Sequence, residues 1–211
     1  SVAITPDDKL LVASQSNLGA MDANGHYTLL LDHSQLGAST VHDIYWPNAQ
    51  EMWLATDQGV MRYQRGNAYL VPQFEALTGY AVRVLQPAQQ GGVWVGGVMG
   101  LYHYEQNQLT PFQLNSELES RNITVLQQQA KNLVFGTTRG LYQLQQDKLV
   151  RLGVGTPLYN SYITALLLLP DNSVIASGGS RPLSDDRCQR TRLPRYRCHR
   201  SRRPCPGQAL A

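Results

Sequence analysis

Four polar residues recur at nearly equal spacing along the chain: His42, Arg83, Thr124 and Thr164, separated by 41, 41 and 40 residues. An imidazole, a guanidinium and two hydroxyls are groups that recognise a ligand through hydrogen bonds and charge. Tyr80, Asn122 and Tyr162 stand close by in sequence and repeat with them. Aromatic faces next to hydrogen-bonding groups are what a small, sugar-like or oligosaccharide ligand requires, so these seven residues form the candidate binding set. The competing reading is a polar, water-lined surface with no ligand, because most exposed polar positions carry no site.

Catalytic chemistry is poorly supplied. The chain has no H-E-x-x-H, no G-x-S-x-G and no paired-carboxylate signature, and the polar column itself lacks carboxylates. His26, His33, His42 and His103 are scattered without metal-ligand spacing, so neither a metal nor another cofactor is expected. The glycines of Gly91-Gly92 and Gly96-Gly97-Val98-Met99-Gly100 are followed by neither a helix nor a lysine, which argues against a phosphate loop. The triplet Asn122-Ile123-Thr124 is a glycosylation acceptor only in a secretory pathway that glycosylates, and otherwise leads into a strand.

The elements that must position the column follow from an internal repeat. A large apolar column runs Leu11, Trp53, Trp94, Val134 and Val174, with steps of 42, 41, 40 and 40 residues. Three residues further on lies a small column of Ser14, Thr56, Gly97, Thr137 and Ser177, and then Asn17, Gly59, Gly100 and Gly140. Upstream, a spaced apolar pair recurs as Val41/Ile44, Val82/Leu85, Ile123/Leu126 and Ile163/Leu166. Each unit reads as a short apolar strand, a polar turn and a nearly continuous apolar strand buried on both faces. A tight turn, an alternating strand, a hairpin tip and a fourth strand complete it. Helix pairs would need a sustained 3.6-residue pattern, and none is present.

Four short strands per unit of about 40 residues make a blade of a β-propeller. The chain is thus expected to be all-β, an incomplete propeller of about four to five four-stranded blades over residues 1–180. The units fall near 1–40, 41–80, 81–120, 121–160 and 161–180. The small column is expected to admit the bulky side chains of the neighbouring blade. First strands of propeller blades line the central channel, which would aim the polar column at whatever enters it.

The columns resemble the two-component regulator propeller repeat, approximately V-x-x-I-x-x-D-x-x-G-x-[LI]-W-[IV]-G-T-x-x-G-[LI]-x-x-[FY]. Residues 41–63, 82–104 and 123–144 follow it best, 163–180 follows its first half, and 4–21 is a diverged copy. The turn aspartate is mostly Asn or Gln here, and Val134 replaces the tryptophan. The resemblance implies a periplasmic sensor segment of an inner-membrane bacterial receptor. In such receptors a Y-Y-Y-type sandwich, a membrane helix and a histidine kinase or GGDEF diguanylate cyclase usually follow. The segment itself would be a ligand sensor and not an enzyme. A scaffold for protein–protein contact is the alternative, with a propeller lyase behind it.

Composition agrees with a globular body and then breaks. The 211 residues are 42% hydrophobic and 16% charged, with 18 Gly, 11 Pro and 11 Tyr, which favours strands and turns. Residues 1–180 carry nine Lys+Arg against thirteen Asp+Glu and no cysteine, whereas residues 181–211 carry nine Arg, two Asp and all three Cys. The pI of the whole chain therefore describes neither part, and a nucleic-acid partner inferred from it is excluded. No run approaches the length of a membrane span, so no membrane contact is expected of this segment. Cys188, Cys198, His199 and Cys205 lack a C-x-x-C clamp for zinc. The tail could also bind an anionic partner, but an out-of-frame continuation explains its abrupt start inside a repeat better. Copies are expected to associate through the open edges of an unclosed ring.

Overall fold

The structure, a computed structural model, describes residues 1–5, 8–14, 17–37, 39–48, 51–171 and 173–179, together with the backbone of Tyr196–Arg197. The expectations about the basic tail otherwise lie outside the described residues. Blade 1 consists of β1 (Val2–Ile4), β2 (Leu10–Ala13), β3 (Leu18–Met21) and β4 (Tyr27–Leu31). Blade 2 is β5 (Val41–Asn48), β6 (Glu51–Thr56), β7 (Gly59–Gln64) and β8 (Asn67–Leu70). Blade 3 is β9 (Val82–Pro87), β10 (Val93–Gly97), β11 (Gly100–Glu105) and β12 (Gln108–Pro111). Blade 4 is β13 (Ile123–Gln129), β14 (Asn132–Thr137), β15 (Gly140–Gln145) and β16 (Lys148–Leu152). Blade 5 begins with β17 (Tyr162–Leu168) and β18 (Val174–Gly179).

Strands of blades 1 to 4 are antiparallel and ordered as in the sequence, with the first strand at one edge and the fourth at the other. First strands of successive blades stand side by side, β5 by β9, β9 by β13 and β13 by β17. The two-residue β19 (Tyr196–Arg197) runs parallel to β18, so it is not the antiparallel third strand that a blade requires.

Packing explains why the second strand is apolar on both faces. In β6, Met52 and Leu54 enter the core between blades 1 and 2, while Trp53 and Ala55 enter the core between blades 2 and 3. In β14, Leu133 and Phe135 face blade 3, and Val134 faces blade 5. Alternation along a strand thus feeds two cores rather than one core and solvent. Each fully buried Leu, Ile or Phe contributes about 1.5–3 kcal/mol by leaving water, so the blade interfaces hold most of the stability.

The close approach between blades is made one residue before the small column expected from the sequence. At Gly96 an added Cβ would lie 2.8 Å from Ile123 Cγ2, and at Gly136 it would lie 2.6 Å from Ile163 Cβ. Ala13, Ala55 and Ala176, all buried, hold the same register in their blades. The hydroxyls of Thr56 and Thr137 instead close the turn that follows. Thr56 Oγ1 donates to the Gly59 carbonyl at 2.9 Å, and Thr137 Oγ1 to that of Gly140 at 3.1 Å. Gly59, Gly100 and Gly140 have φ of 116°, 116° and 110°, as the glycine column predicts. At the outer hairpins Arg65/Gly66, Gln106/Asn107 and Gln146/Asp147 all have positive φ, the pairing that two-residue hairpins favour.

Candidate functional site

Each residue of the polar column is the extra residue of a β-bulge. Val41 pairs with Thr56 and Asp43 with Ala55, which leaves His42 out of the ladder. Val82 pairs with Gly97 and Val84 with Gly96, skipping Arg83. Ile123 and Val125 pair with Thr137 and Gly136 around Thr124, and Ile163 and Ala165 with Gly178 and Ser177 around Thr164. A bulge re-aims one side chain and is a place where a polar group costs the ladder nothing. It also accounts for the i, i+3 apolar spacing. On a regular strand those two residues would face opposite sides. Here Val41 and Ile44 enter one core together, as do Val82 and Leu85, Ile123 and Leu126, and Ile163 and Leu166.

The tight turns lie on the same rim as the residues that lead into the inner strands. The amides of Asp57, Val98 and Thr138 donate to the carbonyls of Thr40, Ala81 and Asn122 at 3.3, 3.0 and 3.1 Å. Gly79 donates to the Gln58 carbonyl at 3.0 Å, which brings Tyr80 to this rim; its ring is exposed. Asn122 is half-buried, and its Oδ1 is buried without a hydrogen-bond partner. Tyr162, also half-buried, pairs with Gly179 at the start of β17.

The four bulge residues have different surroundings. His42 Nε2 and Asp57 Oδ1 lie 2.5 Å apart. Burial acts to raise the Asp57 pKa, but the hydrogen bond and charge of His42, with help from Thr40, hold it below the ordinary aspartate value. Thr124 Oγ1 donates to the carbonyl of Ile163 in the next blade at 2.6 Å, and Thr164 Oγ1 meets Ser177 Oγ at 2.9 Å. Arg83 is half-buried; its Nε is buried without a partner, and no described residue bonds or ion-pairs with its guanidinium.

Asp43 is the neighbour that sequence reasoning missed. It holds the position of Val84 and Val125 and faces blade 3, where its Oδ2 accepts from the Leu85 amide and its Oδ1 from the Ile44 amide, both at 2.9 Å. Burial raises its pKa, against the opposing pull of those two amides. Asp57 lies in the tight turn after β6, and only the rim geometry brings it to His42. The column, which itself lacks carboxylates, therefore has one beside it. A paired imidazole and carboxylate can hold or pass a proton, and the guanidinium can bind an anion. No group of three metal-ligating side chains occurs among the described residues.

No family model matches the chain, and no curated protein matches it either. Solved structures do. The extracellular domain of a putative hybrid two-component system from B. thetaiotaomicron superposes with a TM-score of 0.70 at 17% identity, over 84% of this chain and 25% of that one. The fold is a β-propeller. A second extracellular domain of this kind from B. thetaiotaomicron gives 0.62 at 14% identity, covering 84% of this chain and 32% of that one. Virginiamycin B lyase from Staphylococcus aureus gives 0.56 at 11% identity, covering 87% and 70%. This propeller chain spans about a quarter of the length of the first of these structures. No helix among its described residues is long and apolar enough to cross a membrane.

Proposed function

We propose that the chain is part of the ligand-sensing propeller of a bacterial signal-transduction receptor, non-catalytic in itself and periplasmic. The receptor would carry a histidine kinase or diguanylate cyclase output. The observation that carries this reading is the column of bulged polar residues on adjacent inner strands, one per blade in blades 2 to 5. The likeness to extracellular domains of two-component systems supports it. A ligand bridging His42, Arg83 and the rim residues Tyr80, Asn122 and Tyr162 would fix the relation between neighbouring blades. That change would pass to the geometry of a receptor dimer. The test is the intact receptor carrying His42→Ala and Arg83→Gln. The expected result is loss of the ligand-dependent output with folding intact, and an undiminished response overturns the reading.

The His42–Asp57 pair favours a second reading, a propeller lyase in which the imidazole moves a proton. Turnover of a polysaccharide or antibiotic that His42→Ala abolishes would establish it instead. Self-association is proposed through blade 1, where Val2 and Ile4 are 65% and 68% exposed and face away from the core that Ala3 packs against. Light scattering reads it: a monomer at all concentrations removes this part of the proposal.

A further inference from the structure

Three arginines of the blades are half-buried, and two of them have partners. Arg62 Nη1 lies 3.5 Å from Glu51 Oε1. Arg151 bonds Glu119, the Tyr159 carbonyl and Asn160, and its guanidinium stacks 3.9 Å from the Tyr159 ring centroid. Arg83 is the third, and among the described residues it has no counter-ion and no hydrogen bond.

A guanidinium carries five donors and stays charged at any physiological pH. Withdrawing part of it from water without a partner is costly, which is why such a group normally comes with a carboxylate. The two carboxylates on the neighbouring blade are already engaged, Asp57 by His42 and Asp43 by the amides of Leu85 and Ile44. On the other side, blade 4 offers Thr124, whose hydroxyl donates to Ile163, and Asn122, whose Oδ1 is a buried acceptor without a donor. That acceptor is closed to solvent, so what the rim presents unspent is the guanidinium of Arg83.

We infer that Arg83 is the anion-reading group of this rim, and that the ligand carries a carboxylate, as an acidic oligosaccharide does. The carboxylate accepts two parallel N–H bonds from Nη1 and Nη2, the part of the guanidinium that is not enclosed. Tyr80 supplies an exposed aromatic face on the same rim. The inference rests on the rim being the ligand site, and it adds the charge of what is bound there.

The test is calorimetric titration of the full chain with uronic-acid oligosaccharides from several polysaccharides, each beside its carboxyl-reduced, neutral counterpart. The expected result is that an acidic member binds and its neutral counterpart binds far more weakly. Arg83→Gln is expected to weaken acidic binding by about 10- to 100-fold, with Arg83→Lys intermediate because it keeps the charge and loses the fork. Thermal melting confirms that both variants fold. Equal binding of a neutral counterpart, or acidic binding indifferent to Arg83→Gln, overturns the anion assignment and leaves the rim as the ligand site. Binding by no member of either series at millimolar concentration overturns both.

Discussion

Val41, Val82, Ile123 and Ile163 are each followed at once by a member of the polar column, yet the two sets meet opposite environments. The apolar four are 3% exposed or less and are locked into the blade interfaces. Their neighbours fall on bulges and leave the ladder. Within the polar set the difference repeats. Thr124 and Thr164 spend their hydroxyls on the protein, whereas Arg83 spends nothing and His42 is held by a single turn aspartate. One register position therefore serves as a brace in blades 4 and 5 and as a free functional group in blade 3.

Substitutions in the two columns should separate these jobs. The largest effect is expected at Ile163, which is fully buried and sits against Gly136. Ile163→Ala should cost about 2–5 kcal/mol by urea denaturation. A loss under about 1 kcal/mol would mean that the blade 4–5 interface can collapse around the cavity and is not tightly sealed. Thr124→Val comes next. It removes the 2.6 Å bond to the Ile163 carbonyl and should cost about 1 kcal/mol in the same denaturation experiment.

The sequence displayed the fold because the constraint is periodic. Trp53, Trp94 and Val134 fall in one column since every second strand must fill two cores, and a 40-residue repeat makes that pattern visible. The bulge was less legible, although its signal was present. The apolar pair Val41/Ile44 is spaced by three, which a regular strand cannot place on one face, and an extra residue between them is the remedy. The pairing of His42 with Asp57 was not legible at all. Those residues are 15 apart and meet only because the turn after β6 folds back onto the start of β5. Asp43 was hidden for a related reason: its partner, the Leu85 amide, belongs to another blade.

The two aspartates of blade 2 should give opposite pH dependences. Asp43 has a raised pKa through burial, so the folded protein holds its proton more tightly than the unfolded chain does. Its contribution therefore declines as pH rises from the ordinary aspartate value through the raised one. Asp57 has a lowered pKa because His42 outweighs burial, so its contribution is present above the ordinary value and fades as pH falls through the lowered one. Urea midpoints followed across the carboxylate range should show Asp43→Asn flattening the upper part of the profile and Asp57→Asn the lower part. An unchanged upper slope in Asp43→Asn would mean that the Leu85 and Ile44 amides, not burial, dominate at that site.

The smallest change in stability is expected at Arg83, and that smallness is what distinguishes it from Thr124. A structural residue loses stability when its bonds are removed. A half-buried guanidinium without a partner has no such bonds to lose, and its removal relieves a desolvation cost. Arg83→Met keeps an unbranched apolar stem and loses the charge, so the variant should be as stable as the parent or more stable by up to about 1 kcal/mol. A loss comparable to that of Thr124→Val would show that the guanidinium braces the inner strands. A gain would show that the charge is kept at a cost to folding, which is the expected signature of a group retained for binding.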